Sequence, residues 1–179
     1  MRKTAELAAN GGGRTVWEPD SDFSRRETLA AVLENNPLPI AYRLNYLANF
    51  YVEPLVKNIE RTFDLSRPEW IILFCLNQRP DLNAQQISNV TGRPKTSISA
   101  AVRQLQGKKL LVRSVDVRDG RRRVLQVTEA GQKIYAAVLA SFVARETDMM
   151  VCLNRGERRA FLDLLNKLID NSGSWATPY

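Results

Sequence analysis

The architecture of this chain is set by residues 81–131, which read DLNAQQISNVTGRPKTSISAAVRQLQGKKLLVRSVDVRDGRRRVLQVTEAG. The stretch predicts a short helix, a tight turn at Thr91-Gly92, a second helix that begins at Pro94, and two strands. The pair Asp119-Gly120 between the strands is typical of a hairpin turn. We therefore expect a helix-turn-helix followed by an Arg-rich β-hairpin, which is the winged form of that motif.

The same stretch holds the excess positive charge of the chain. Residues 93–123 contain ten Lys or Arg and two Asp, a net charge of +8, whereas the whole chain carries +7. A basic run alone is explained equally well as a solvated face. Because this run coincides with a helix-turn-helix and a hairpin, it favours binding to double-stranded DNA.

Helical phasing divides the second helix of the motif into two faces. The apolar residues Ile98, Ala101, Val102 and Leu105 share one face, which we expect to pack inward. The opposite face can reach base edges and phosphates in the major groove. With Arg93 before the helix, the candidate DNA-contacting residues of this part are Lys95, Thr96, Ser97, Ser99 and Arg103.

The predicted hairpin supplies a second set of cations. Arg118 and Arg121 flank the Asp-Gly turn, where guanidinium groups are suited to the narrow minor groove. Arg122 and Arg123 follow and are candidates for phosphate contacts. Both sets together predict a protein that reads DNA with a helix and a wing.

Helices are expected on both sides of this lobe, which we assign to residues 66–127. Residues 37–65 and 128–172 are predicted to be helical, with apolar stripes over residues 40–59 and 161–169. Pro54 predicts a kink or a break one turn earlier in the first of these. Residues 1–36 form an extension, partly flexible, with a short helix near 25–35 after the capping-box pattern Ser24 to Glu27. Residues 173–179 are expected to be a frayed tail.

Composition excludes several classes of function. The chain has no histidine and two cysteines, Cys75 and Cys152, so His-based metal sites and Ser-His or Cys-His catalysis are excluded. We predict no catalytic residue, no metal and no cofactor. An apolar run of the ~20 residues needed to cross a membrane is missing from the sequence, so a cytoplasmic protein without a membrane partner is expected. Cys75 lies in an apolar run and is favoured as a buried thiol over a redox sensor.

The chain resembles the multiple-antibiotic-resistance regulator (MarR) family of bacterial transcription factors over about residues 39–171. The resemblance lies in DLSRPEWIIL, in GRPKTSISAAVRQLQGKKLLVR and in DVRDGRRRVLQVTEAG. It implies a mainly α fold with a small β-hairpin wing, in which the helices outside the lobe intertwine into a homodimer. Two winged helix-turn-helix lobes would then read the halves of a pseudo-palindrome. Ala100 departs from the family, which often has Arg at that position, so the operator cannot be inferred from relatives.

The resemblance also implies a repressor that a small ligand releases from DNA. The cysteine of the peroxide-sensing branch and the histidines of the zinc-sensing branch are missing here, so an organic effector, an aromatic acid or its coenzyme A thioester, is expected. The candidate effector-binding residues are Tyr42, Arg43, Tyr46, Trp70 and Phe74. For each aromatic residue, core or subunit packing is the alternative. For the whole chain, the alternatives are an architectural DNA-binding protein without an effector and an enzyme that uses the motif as a scaffold.

Overall fold

The computed structural model describes residues 19–80, 82–115 and 123–175. Its elements are, in order, α1 (Pro19–Glu34), α2 (Pro39–Phe63), α3 (Arg67–Gln78), α4 (Ala84–Thr91), α5 (Lys95–Gly107), β1 (Leu111–Val115), β2 (Arg123–Val127), α6 (Glu129–Met150), α7 (Arg155–Asp170) and a 3-10 turn (Ser172–Ser174). The two strands pair antiparallel. The mainly helical fold with a β-hairpin, predicted from the sequence, is confirmed.

The described residues separate into two compact units, which divide between residues 46 and 47. In the first unit, α1 begins at Pro19, six residues before the predicted start. The predicted capping box at Ser24 is therefore wrong, because Ser24 lies inside the helix. Proline suits a first helical position, since its missing N–H has no intrahelical partner there in any case. The finer division into extension, lobe and dimerisation region stays a prediction.

The helix α2 (Pro39–Phe63) lies within the predicted helical range 37–65 and contains Pro54 without interruption. Of the predicted kink or break, the break is therefore wrong. Proline has no N–H to donate to the carbonyl of Phe50, four residues earlier. In the structure, Arg145 of α6 donates to that carbonyl through Nη2. Nearby, the hydroxyl of Tyr51 donates to the carbonyl oxygen of Phe142 at 3.3 Å. Two side-chain hydrogen bonds thus join α2 to α6 close to the position where Pro54 removes a backbone hydrogen bond of α2.

The main core of the second unit lies in the lobe formed by α3, α4, α5 and the hairpin. Its buried side chains come from every element of that lobe: Leu65, Ile72, Leu73, Leu76, Leu82, Ile87, Ile98, Ala101, Val102, Leu105, Leu110, Leu111 and Leu125. A smaller cluster of Ile59, Trp70 and Val138 connects α2, α3 and α6. Burial of this apolar surface is the main source of stability for the lobe.

Capping patterns set several helix starts. Glu69 accepts from the Ser66 N–H at 2.7 Å, and Asn83 and Asn154 accept from the N–H groups of Gln86 and Glu157 at 2.9 and 3.0 Å. These bonds occupy N–H groups that a helix leaves without internal partners. A capping box is thus formed at each of these three positions. Beyond α7, the predicted frayed tail begins with a 3-10 turn, and residues 176–179 lie outside the described part of the chain.

Candidate nucleic-acid interface

The helix α5 has the two faces that its sequence predicts. Ile98, Ala101, Val102 and Leu105 are at most 2% exposed and form the inner face. On the outer face, Lys95, Thr96 and Arg103 are exposed, while Ser97 and Ser99 are half-buried. Because the inner face is packed in the lobe core, the outer face is presented on a rigid support. That these side chains contact DNA stays a prediction.

The turn before α5 is held by local geometry and one side-chain hydrogen bond. Gly92 has a φ of 63°, a left-handed conformation that glycine adopts without the steric cost of a Cβ. The hydroxyl of Ser88 donates to the carbonyl oxygen of Arg93 at 2.7 Å. Pro94 stands at the N-cap, so α5 begins one residue later than predicted. These features fix where α5 starts relative to α4.

Arg93 has a cationic neighbour that the sequence did not reveal. Burial, and then the charge of Arg67, lower the pKa of the Arg93 guanidinium. Arg67 is the first residue of α3, and both side chains are half-buried. The sequence around Arg67 does not reveal this electrostatic effect on Arg93, because Arg67 belongs to α3 and lies 26 residues earlier in the chain. Two like charges held together favour the approach of an anion.

The hairpin lies next to α5 in sequence and pairs in a defined register. Leu111 faces Val127 and Val115 faces Arg123 across the two strands. Arg113 is exposed and adds a cation on β1. The predicted minor-groove residues Arg118 and Arg121, together with Arg122, lie outside the described residues, as does the side chain of Arg123. Their roles remain predictions from the sequence.

The Thr-x-x-Gly pattern after β2 has a steric reason. The Thr128 hydroxyl accepts from the Gly131 N–H at 3.1 Å and donates to the carbonyl oxygen of Lys109 at 2.9 Å. A Cβ on Gly131 would stand 2.4 Å from the carbonyl oxygen of Leu110. Glycine is therefore required where α6 crosses the start of β1. The pair fixes both the base of the hairpin and the first turn of α6.

The candidate effector residues fall in both units. In the second unit, Trp70 is 5% exposed and stacks on Tyr135 and Phe142 at centroid distances of 5.6 and 4.9 Å. The ring centroid of Phe74 lies 5.9 Å from that of Trp70, and Phe74 is 41% exposed. Packing accounts for Trp70, whereas the exposed Phe74 ring remains available to a ligand.

In the first unit, the candidate effector residues Tyr42 and Tyr46 are half-buried. Arg43 donates from Nη1 to the carbonyl oxygen of Pro39 at 2.7 Å. Sequence reasoning missed Tyr135 and Phe142, which complete the aromatic cluster in the second unit. A signal was present for both, since they share the apolar face of α6 with Val138.

The two thiols differ in environment. Cys75 is half-buried against the lobe core, and burial raises the pKa of its thiol. Cys152 is exposed. Cys75 was predicted to be a buried thiol, and it is half-buried and packs against the lobe core. Within residues 19–80, 82–115 and 123–175, no group of three or more Cys, Asp or Glu is arranged to hold a metal ion. In the same part of the chain, every helix is too short or too polar to span a bilayer.

Comparison with known proteins points to one family. Residues 63–122, from the end of α2 into the hairpin, match the model of the MarR family. This part of the chain is therefore similar to the MarR family. Curated proteins similar to the chain are transcriptional regulators. They include the HTH-type transcriptional repressor NicR of Pseudomonas putida, 25% identical over 145 residues, or 79% of this chain and 92% of NicR.

Another relative is the uncharacterized HTH-type regulator YwaE of Bacillus subtilis, 26% identical over 110 residues. That match covers 62% of this chain and spans 64% of the length of YwaE. Among solved structures, the fold is shared with Staphylococcus aureus MepR in complex with DNA, with a TM-score of 0.67, 23% identity, and 76% of this chain and 99% of MepR covered. It is also shared with Streptomyces coelicolor PcaV in complex with its natural ligand, with a TM-score of 0.60, 22% identity, and 78% and 96% covered.

Proposed function

We propose that this chain is a MarR-type dimeric repressor that binds a pseudo-palindromic operator and is released by a small organic effector. The observation that supports it most strongly is the outer face of α5, which presents Lys95, Thr96 and Arg103 to solvent over a packed inner face. A helix of this kind fits the major groove. Repression is supported by the similarity to NicR, a repressor.

The proposed contacts divide into base reading and phosphate binding. The outer face of α5 reads base edges, with Lys95, Thr96, Ser97, Ser99 and Arg103 in the major groove. Arg93 holds a phosphate, and its neighbour Arg67 joins it, because an anion between two guanidinium groups relieves their mutual repulsion. The wing contributes Arg118 and Arg121 to the minor groove and Arg122 and Arg123 to phosphates.

A second copy of the chain is proposed to cover the apolar face of α7. Leu162, Leu164 and Ile169 are 54%, 62% and 65% exposed, and none of the α7 residues is buried. A groove of about 470 Å³ runs between α6 and α7, and its lining includes Val143 and Leu165. Exposed apolar stripes of this size are typical of subunit interfaces. Pairing two chains through this face would place two copies of α5 on one duplex.

Effector binding is proposed with two separate sets of candidate residues, Trp70 and Phe74 in the second unit and Tyr42, Arg43 and Tyr46 in the first. PcaV, which shares the fold, holds its natural ligand. Aromatic side chains and a guanidinium group suit an aromatic acid or its coenzyme A thioester. The alternative is an effector-independent architectural protein that coats DNA.

Selection from a pool of randomised duplexes separates these functions. The wild-type protein is expected to enrich one inverted repeat, and its affinity for that duplex should exceed its affinity for a scrambled duplex by at least ~10³-fold. Arg121→Ala should weaken binding to the selected duplex by about 1–3 kcal/mol. Arg155→Ala, which removes the same charge from α7, is the matched control and should leave binding unchanged. Equal affinity for every sequence would overturn the repressor and support the architectural alternative.

The effector claim has its own experiment. Aromatic acids and their coenzyme A thioesters are screened for a rise in melting temperature, and each compound that raises it is then added to the complex with the selected duplex. A true effector should stabilise the free protein and also release the DNA. If no compound does both, the effector proposal is wrong while the DNA-binding proposal stands.

A further inference from the structure

Lys108 lies at the C-terminal end of α5 and is one of the ten cations in the basic stretch. Its ammonium group points to carboxylates rather than away from the lobe. Nζ lies 3.0 Å from Oε1 of Glu69 and 3.3 Å from Oδ2 of Asp64, and it also donates to the carbonyl oxygen of Asp64. Asp64 is the first residue after α2, and Glu69 is in the first turn of α3. One side chain thus connects the end of α5 with the junction between α2 and α3.

The contact with Glu69 is the one that matters energetically. The Glu69 side chain is 2% exposed, whereas the Asp64 side chain is 96% exposed. Among the residues described by the structure, Glu69 is the charged residue that is buried. A buried carboxylate is strongly unfavourable unless a cation and hydrogen bonds compensate it, whereas an exposed ion pair contributes little. Lys108 is the cation that compensates Glu69.

The remaining oxygen of Glu69 is used in the cap of α3. Oε2 accepts from both the N–H and the hydroxyl of Ser66 at 2.7 Å. Burial alone would lower the pKa of Lys108, but hydrogen bonding and the charge of Glu69, and then of Asp64, outweigh burial and raise it. The carboxylates therefore favour the charged form of Lys108.

We propose that Lys108 is a positioning residue for DNA reading, which fixes the C-terminal end of α5 through Glu69 and does not bind phosphate. The apolar inner face of α5 determines which side points inward, but hydrophobic packing is non-directional and permits small shifts along the axis. A buried ion pair has a defined geometry and selects one position of the helix. The proposal rests on the DNA-reading role of α5 proposed above.

Lys108→Met tests this proposal against a matched control, Lys109→Met. Lys109 is adjacent and exposed, so both variants lose one charge at the same end of α5. Affinity is measured at several salt concentrations for the duplex selected by the wild-type protein and for a scrambled duplex of equal length. Loss of a phosphate contact should reduce the slope of log affinity against log salt by about one on both duplexes.

Loss of a positioning residue should produce a different pattern. In Lys108→Met, the salt slope should equal that of the wild type. Affinity for the selected duplex should fall by roughly tenfold at every salt concentration, while affinity for the scrambled duplex should be unchanged. A reduced slope would make Lys108 a phosphate contact, and unchanged specific affinity in a folded variant would make the ion pair merely structural. Either result overturns the proposal.

A second substitution connects the effect to Glu69 and keeps the test decisive if Lys108→Met is too unstable to fold. Glutamine at position 69 retains an oxygen that accepts from Ser66, because the capping box tolerates either residue. Lys108→Met alone leaves the Glu69 carboxylate buried without its cation. Adding Glu69→Gln removes that carboxylate charge. This double variant should be more stable than Lys108→Met alone and should show the same loss of specific affinity without a change of slope. Additive stability changes, or a reduced slope in the double variant, would overturn the proposal.

The exposed partner supplies a further control. Asp64→Asn should leave specific affinity within about twofold of the wild type, because the exposed contact is screened by solvent. If the proposed DNA-reading role of α5 is wrong, the result is different, because the wild-type protein itself would then show no preference for any duplex.

Discussion

The DNA-reading lobe and the helix α7 use the same sequence pattern with opposite results. In the lobe, apolar residues at helical spacing on α5 are at most 2% exposed, because α3, α4 and the hairpin cover them. On α7, the same spacing yields Leu164, Leu168 and Ile169 at 47% exposure or more. An apolar stripe therefore predicts that a face will be covered, and only the fold shows whether the cover comes from the same chain.

The energy at stake is large enough to drive association. Fully burying one Leu or Ile side chain contributes roughly 1.5–3 kcal/mol. Several such side chains are exposed on α7, so leaving the stripe in water is costly and a second copy of the chain is the proposed cover. Stability of the lobe should depend on its own core, whereas stability of α7 should depend on the partner.

The largest expected effect comes from a charge on the α7 stripe. Leu165→Asp should dissociate the dimer, because an unpaired buried charge costs about 3–5 kcal/mol in each copy. Light scattering should show the mass of the variant falling to that of one chain. Asn166→Asp adds the same charge at an exposed position next to it and should remain dimeric. A dimeric Leu165→Asp would show that this stripe is not the interface.

Shortening a side chain in the lobe core should destabilise the lobe whether or not the chain is dimeric. Leu105→Ala removes a fully buried side chain and should lower the free energy of unfolding by about 2–5 kcal/mol. The same loss is expected in the Leu165→Asp background, since the lobe core is built from one chain. Urea unfolding of both backgrounds measures it. A loss that appears only in the dimer would contradict an autonomous lobe.

The close approach of Gly131 to Leu110 supplies a smaller effect. Gly131→Ala should destabilise by about 1–3 kcal/mol, because its Cβ would meet a carbonyl oxygen at 2.4 Å. Gly107→Ala is the control, since nothing lies within 4 Å of a Cβ there. It should be neutral or stabilising by up to about 1 kcal/mol. If both substitutions change the melting temperature equally, the steric explanation for glycine in the Thr-x-x-Gly pattern is wrong.

The smallest effect concerns thiol reactivity. Burial raises the pKa of Cys75, so its reactive thiolate is scarcer at neutral pH than an ordinary value would allow. Iodoacetamide followed by mass spectrometry should modify the exposed Cys152 first, and the rate at Cys75 should climb as pH rises. In Cys152→Ser, the slower modification of Cys75 can be measured by itself. Faster modification of Cys75 would mean that the lobe core opens readily.

Local patterns made most of the fold predictable, and the missed features depend on long-range contacts. The inner face of α5, the bounds of α2 and the caps at Ser66, Asn83 and Asn154 all follow from spacing within a few turns. The start of α1 was misplaced, because a capping pattern at Ser24 looks the same inside a helix as before one.

The site was predictable only as a set of residue types. The charge count treats every Lys and Arg alike, so it included Lys108, which turns inward to Glu69. It omitted Arg67, whose charge lowers the pKa of Arg93. The aromatic partners of Trp70 were missed, since α6 lies far along the sequence.

The number of chains bound to one selected duplex is decisive for the proposed dimeric repressor. Light scattering on the purified complex should show two chains per duplex, each of 20.3 kDa, and the footprint should have two-fold symmetry. A complex with a single chain on the selected duplex would contradict it, because one lobe would then read the site without the partner that α7 is proposed to recruit.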